Sequence, residues 1–359
     1  MTSAAMIATD DPSITDDLLR LAAAADAEIE LVRDADRARQ GWPWPPLVIV
    51  GADLAEAIAA GSPERRPGVV VVAKGGEPAD LYRRAVEVGA QDVVRLPDDE
   101  TWLIDAMAAA AEPVEGWATT VCVLGAGGGA GASVLSAALG LTAARRGLRT
   151  LLVDGDPLGG GLELVLGLED HEGARWPHFA ERRGRLSAGN LYESLPRLGD
   201  LSVLSWRHGT AATVVPEATP SLLDAAARAF DLVIVDVPRY QGEIGRSALR
   251  AADTTLLLVP AEVRATMAAD GLVTALRGEV ADIRLVVRGP ASGGVTPEVM
   301  AEALDLPLAG LLDRDRRLPA AIDKGDLTEA IRRGPIAALC GRLLSALQVR
   351  SYERQAEAA

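Results

Sequence analysis

Short apolar runs alternate with amphipathic stretches along most of this chain. In the first third the strand-like runs are Ala5–Ala8, Ile29–Val32, Leu47–Val50, Val69–Ala73 and Asp92–Arg95. Runs of four to six residues with little polar alternation predict strands covered on both faces, as in a parallel sheet. Between them, helical periodicity predicts helices over Thr15–Ala25, Asp80–Val88 and Asp99–Ala111. Pro113 and Gly116 then break the pattern and mark a linker. It resumes with a strand at Thr120–Leu124, a helix at Ser133–Arg146 and a strand at Thr150–Val153. Later strands are predicted at Leu201–Leu204, Leu232–Val235, Thr255–Val259 and Arg284–Val287. Alternation of this kind predicts two α/β domains: a doubly wound domain over residues 1–112 and a second, mainly parallel domain over 119–350. Residues 113–118 join them, and 351–359 form a polar tail.

Composition changes this picture in few places. With 359 residues and 49% apolar content, both domains can bury a core. The net charge is −15, and residues 1–112 hold 21 acids against 10 bases. So acidic a first domain argues against contact with nucleic acid or anionic membrane through it. In the second domain Arg182, Arg183 and Arg185, or Arg314, Arg316 and Arg317, are the only basic clusters that invite DNA, and solvated faces or ion pairs explain them better. Cys122 and Cys340 lie in apolar surroundings as reduced thiols, and three histidines form no metal-like cluster. No signal peptide is seen, and no apolar run nears the ~20 residues of a membrane helix, so a cytoplasmic protein is expected. The apolar stripe Ile336, Leu339, Leu343, Leu344 and Leu347 is expected to dock on its own domain, with peripheral membrane contact left open.

The candidate chemistry sits between the first strand and first helix of the second domain. Gly125-Ala-Gly127-Gly128-Gly129-Ala130-Gly131-Ala132-Ser133 is a glycine loop at a helix start. Such a loop turns its N–H groups toward an anion, and the helix end adds positive potential. Three readings stand. The loop binds nothing and is a tight turn. It is a dinucleotide fingerprint, with Gly125, Gly127 and Ala130 in G-x-G-x-x-A and Asp154 ending the next strand. Or it is an NTPase phosphate loop, with Gly131 and Ser133 in place, Ala132 where the lysine belongs and Ala126 where the first glycine belongs.

Sequence beyond the loop favours the third. Leu151-Leu-Val-Asp154-Gly-Asp156-Pro-Leu-Gly159, Phe230-Asp-Leu-Val-Ile-Val-Asp236-Val-Pro238 and the segment Leu306–Leu327, with Asp315 and Gly325, occur in order. Together they resemble the MinD/ParA superfamily, and a receiver-like domain in front resembles its CpaE-like branch, including the actinobacterial Ssd type of septum site-determining protein. The resemblance implies a nucleotide fold that holds ATP on residues 127–133 and Mg²⁺ on Ser133, Asp154, Asp156 and Asp236. It implies a regulator of septum placement or of Flp/Tad pilus and secretion positioning, with protein partners from those machineries, a homodimer in question and septum or membrane association. DNA is not expected as a partner.

The departures from the family are in the chemistry. Members that hydrolyse ATP carry two loop lysines; here Gly127 and Ala132 stand in those places. The resemblance therefore implies weak nucleotide binding and weak or absent hydrolysis, with no catalytic residue assigned beyond the candidate Asp154. An active ATP-dependent switch and a dinucleotide-dependent enzyme stay as alternatives. The asparagine that reads adenine in the family is replaced in Val-Val-Arg288-Gly. The first domain departs likewise: Gly51 ends the strand where the phospho-acceptor belongs, Asp53 comes two residues late, and Lys74 and Leu96 stand at the other signature places. A pseudo-receiver, not phosphorylated, is expected.

Overall fold

The computed structural model describes all residues except 1–4, 67, 76–79, 113–117, 181–185, 207–213, 217, 290–294, 325–326, 348 and 350–359. Residues 113–117 of the expected linker, the tail, Arg182, Arg183, Arg185 and Gly325 thus lie outside the described residues. The chain divides into two compact units, Met1–Val114 with Arg183–Asn190, and Glu115–Arg182 with Leu191–Ala359.

The first unit is a parallel five-stranded sheet of β1 (Ala5–Ala8), β2 (Ile29–Val32), β3 (Leu47–Gly51), β4 (Val69–Lys74) and β5 (Asp92–Leu96), in the order β2-β1-β3-β4-β5. The period of two along each strand divides its core. Ile7, Ile49 and Val72 face the helices Pro12–Ala24 and Glu100–Ala111, against Leu18, Leu21, Leu103 and Met107. Met6, Val48 and Val71 face the other three helices, against Ala38, Ile58 and Leu81. Two of those helices, Ala35–Gly41 and Ala55–Ala59, are too short to announce themselves by periodicity.

The second unit is an eight-stranded sheet. Its strands are β6 (Thr119–Gly125), β7 (Thr150–Asp154), β8 (Arg197–Leu198), β9 (Leu201–Leu204), β10 (Leu232–Val237), β11 (Thr254–Pro260), β12 (Ile283–Arg288) and β13 (Leu308–Leu312). The order is β13-β12-β11-β6-β10-β7-β9-β8, and only the short β8 runs antiparallel, against β9. β6 is therefore central, flanked by β10 and β11, and its glycine loop opens at the carboxyl end of the sheet, where α/β folds hold ligands. The parallel sheet expected for the first domain and the mainly parallel sheet expected for the second are what the structure shows. β8 and β13 were not foreseen; one has two residues and the other carries Gly310 in its middle.

One face of this sheet buries the helix Ala132–Arg145, and over it the helix Pro335–Ala346. Ile336, Leu339, Cys340, Leu343 and Leu344 of the latter are all buried in the core. The stripe that raised the question of membrane contact is thus spent inside the unit. No helix among the described residues is long and apolar enough to cross a membrane.

Candidate functional site

The glycine loop is built by backbone that few residues adopt. Gly129 has φ +72° and Gly131 φ +100°, and the chain then enters the helix Ala132–Arg145 with no side chain capping its N-terminus. Loop and helix end form one wall of a cavity of about 970 Å³. Gly127 through Ser133 all line it, together with Asp156, Trp206, Asp236 and the turn Pro238–Gly242. Uncapped N–H groups facing such a cavity suit a polyphosphate.

The acids expected to hold a metal take different places. β10 pairs with β7 so that Asp236, next to last in β10, stands opposite Asp154, which ends β7, at the carboxyl end of the sheet. Asp236 is buried and accepts a hydrogen bond of 3.0 Å from Ser136 Oγ. Burial pushes its carboxyl up to about 6, against hydrogen bonds from Ser133 and Ser136 that favour the charge. Asp156 lines the cavity, and its side chain accepts from the Leu158 amide at 3.0 Å.

Asp154 is turned elsewhere. Its two carboxylate oxygens accept from the amides of Asp156 and Leu162, each at 3.0 Å, and it does not line the cavity. Its carboxyl is pushed up to about 7, by burial first and then by the neighbouring acids Asp236 and Asp156. Asp154 thereby closes the turn after β7. Its carbonyl accepts from the indoles of Trp176 and Trp206, at 2.7 and 3.2 Å, and these rings stack with centroids 5.6 Å apart. Below them Glu163 accepts from both Arg175 and Ser205, and Arg175 also donates to the His171 and Gly173 carbonyls. The buried ion pair fixes the chain that carries Trp176.

Among the described residues no three His, Cys, Asp or Glu side chains converge as a metal cluster. Mg²⁺ in phosphate sites commonly takes one or two carboxylates and completes its shell with phosphate oxygens and water. Asp236 and Asp156 with Ser133 suit that arrangement: Asp236 is a buried carboxylate lining the cavity, and Ser133 lies at the helix start.

Two arginines take places that the sequence does not reveal. Arg288, ending β12, donates through one nitrogen to the Gly129 and Ala130 carbonyls, at 2.7 and 2.8 Å. Arg288 is not part of the cavity lining, so it grips the loop from the other side. In a trans peptide the C=O and N–H point oppositely. Carbonyls drawn to Arg288 therefore turn the following amides away from it. Arg239, following β10, lines the cavity itself. Neither could be placed from sequence, because Arg288 meets the loop, and Arg239 the cavity, only once distant strands have paired. Arg288→Met in the unliganded chain is expected to speed amide hydrogen exchange over residues 127–132 by about tenfold or more, since hydrogen bonds from a charged donor contribute ~1.5–3 kcal/mol. Exchange unchanged from the parent protein would refute the grip. None of the described residues of the segment Leu306–Leu327 lines the cavity.

The corresponding end of the first unit is self-filled. Gly51 closes β3, and the Asp53 carboxylate folds back over it, accepting from Thr9 Oγ1 and the Asp10 amide, both at 2.8 Å. A Cβ at position 51 would lie 2.2 Å from Asp53 Oδ1, so only glycine admits this arrangement. Asp11 caps the helix Pro12–Ala24 through the Ser13 and Ile14 amides. Lys74 pairs with Asp17 at 2.6 Å.

Comparisons with known proteins agree with this division. The profile "Rv3660c-like, CheY-like N-terminal domain" matches residues 8–118, and that of the cellulose biosynthesis protein BcsQ matches 118–272. The uncharacterized protein Rv3660c of Mycobacterium tuberculosis is 33% identical over 97% of this chain and 99% of its own length. The septum site-determining protein MinD of Synechocystis is 25% identical over 55% of this chain and 77% of its own length. Among solved structures, a ParA family ATPase from Chlorobium tepidum superposes with TM-score 0.56 at 16% identity, covering 63% of this chain and 98% of that one. MinD of Pyrococcus horikoshii complexed with Mg-ADP superposes with TM-score 0.53 at 19% identity, covering 64% and 96%. The structural likenesses establish the fold of the second unit as that of the MinD/ParA proteins.

Proposed function

We propose that this chain, which belongs to the family of Mycobacterium tuberculosis Rv3660c, is a MinD/ParA-type regulator that binds a nucleotide weakly and acts through protein contacts. The observation that carries this is the cavity: an uncapped helix end and a glycine loop face Ser133, Asp156 and Asp236, yet Gly127 and Ala132 supply no cation to the loop. The Mg-ADP complex of the Pyrococcus horikoshii protein of the same fold supports ADP or ATP with Mg²⁺ as the ligand class. Ser133, Asp236 and Asp156 would hold the metal, which when bound offsets phosphate charge. Gly127–Ala132 would receive phosphate oxygens on their amides, and Asp154 would keep the end of β7 in place. A dinucleotide reading needs the Asp154 carboxylate on a ribose, but the Asp156 and Leu162 amides occupy it.

The finer role follows the septum site-determining relatives: placement of the septum, or of Flp/Tad pilus and secretion machinery, in the CpaE-like or Ssd manner. Its partners would be proteins of those systems, with a second copy of the chain among the candidates, at the septum or membrane from the cytoplasm. Equilibrium titration of the full chain with labelled ADP and ATP, with and without Mg²⁺, tests the core of the proposal. Saturable, Mg²⁺-dependent binding is expected. Absence of binding at millimolar nucleotide would overturn it.

The first unit enters this proposal as a pseudo-receiver. The space over Gly51 is taken by Asp53, whose oxygens are engaged by Thr9 and Asp10. Acetyl phosphate should accordingly leave the intact mass unchanged. One added phosphoryl group, absent in Asp53→Asn, would show instead that Asp53 is an acceptor.

A further inference from the structure

We infer that Arg239 is the cation that receives the nucleotide's outer phosphates, in place of the lysines the loop lacks. The inference rests on the nucleotide reading above and adds the residue that selects for phosphate number. Among the described residues lining the cavity, Arg239 carries the one positive side chain, against the acids Asp156, Asp236 and Glu243. It is exposed and has no ion pair or hydrogen bond among the described residues, unlike most arginines of this chain. A polyphosphate on the glycine loop brings several negative charges against that acidic wall. Bound Mg²⁺ offsets part of this repulsion, and a guanidinium offsets more, with a fork of donors shaped for phosphate oxygens.

Backbone geometry keeps Arg239 at the cavity. It lies three residues beyond Asp236, after Val237 and Pro238. The turn closes with the Gln241 amide on the Pro238 carbonyl at 2.8 Å. Gln241 has φ +53° and ψ −45°, and Gly242 φ +55°, before the helix Gly242–Ala251 begins. A non-glycine residue held there is strained, and such strain concentrates at ligand sites. Arg239 and Tyr240, the latter 92% exposed, are thereby held at the tip of this turn, on the cavity side. The loop and this turn thus offer phosphates two different groups: backbone amides from one wall and a guanidinium from the other.

The experiment is a comparison of AMP, ADP and ATP binding, each with Mg²⁺, to the full chain and to Arg239→Met and Arg239→Lys. Expected is a loss that grows with phosphate number: none for AMP, and about tenfold or more for ATP in Arg239→Met. Arg239→Lys should recover part of the ATP affinity. Position 239 is exposed, so the thermal midpoint without nucleotide should not move. Equal ATP affinity in the parent and Arg239→Met proteins overturns the assignment while leaving the nucleotide reading intact. An equal loss for all three nucleotides also overturns it, because it marks a general effect on the turn. A parent protein that binds none of the three removes both the reading and the inference.

Discussion

Replacing Gly127 and Ala132 together by lysine is expected to strengthen Mg-ATP binding by about tenfold or more, the scale of ~1.5–3 kcal/mol for a hydrogen bond to a charged group. The site has room for the change. A Cβ at Gly127 meets nothing within 4 Å, and Ala132 lies in the cavity wall at the helix start. In the unmodified protein, hydrolysis lacks the loop cations that stabilise charge as the terminal phosphoryl group departs. ATP turnover should therefore equal that of a Ser133→Ala, Asp236→Ala control. Arg239 stands in for those lysines in binding the outer phosphates but comes from the turn after β10 and not from the loop, so binding and turnover separate. Clear turnover in the parent chain, lost in the control, would show that the present cations suffice and would establish an active switch ATPase. No gain in affinity from the two lysines, even in an Arg239→Met background, would show that the rest of the site cannot seat a nucleotide.

Stability of the unliganded protein is expected to fall as pH rises from about 4 to 7. Asp154 and Asp236 are pushed up to about 7 and about 6 by burial, whereas in the unfolded chain both titrate near 3.8. Between these limits the folded state keeps protons that the unfolded state has released, so raising the pH favours unfolding. Above about 7 the effect is complete and stability levels off. The expected loss is about 2–4 kcal/mol, read by chemical denaturation in EDTA at pH 5 and pH 8. Asp236→Asn keeps an acceptor for Ser136 while removing the charge, so it should add about 2 kcal/mol at pH 8 and little at pH 4. Acids of the opposite kind, Asp17 beside Lys74 and Asp315 beside Arg317, are held below their ordinary range. They act in a separate window, losing stability only as pH falls below about 4. Stability that is level or rising from pH 4 to 7 would mean that the two aspartates are not buried as described. At pH 8, Mg²⁺ with nucleotide should restore part of the loss, since it favours the charged carboxylates.

The order of strands and helices was legible along the chain because each sheet is buried on both faces. Runs such as Val69–Ala73 and Leu232–Val235 have no polar alternation to mislead, and Gly, Pro and Asp punctuate their ends. The glycine loop, the strand-end aspartates Asp154 and Asp236, and the loss of lysine at Gly127 and Ala132 could be read in the same way, being local in sequence. Short elements escaped: the helices Ala35–Gly41 and Ala55–Ala59 hold too few turns for a periodic signal. Tertiary structure alone decided where the side chains point. Asp154 and Asp236 look alike as strand ends, yet one carboxylate is taken by the Asp156 and Leu162 amides while the other sits in the cavity wall. Asp53 fills the space over Gly51 because the chain doubles back after β3. Arg288 reaches loop carbonyls 159 and 158 positions away because β12 and β6 both flank β11. The sequence by itself therefore determined the fold and the absence of loop lysines, since both depend on residue type and local order. Which acids and which arginines serve the cavity was decided only when distant strands paired, because register and packing, not chain position, set a side chain's neighbours.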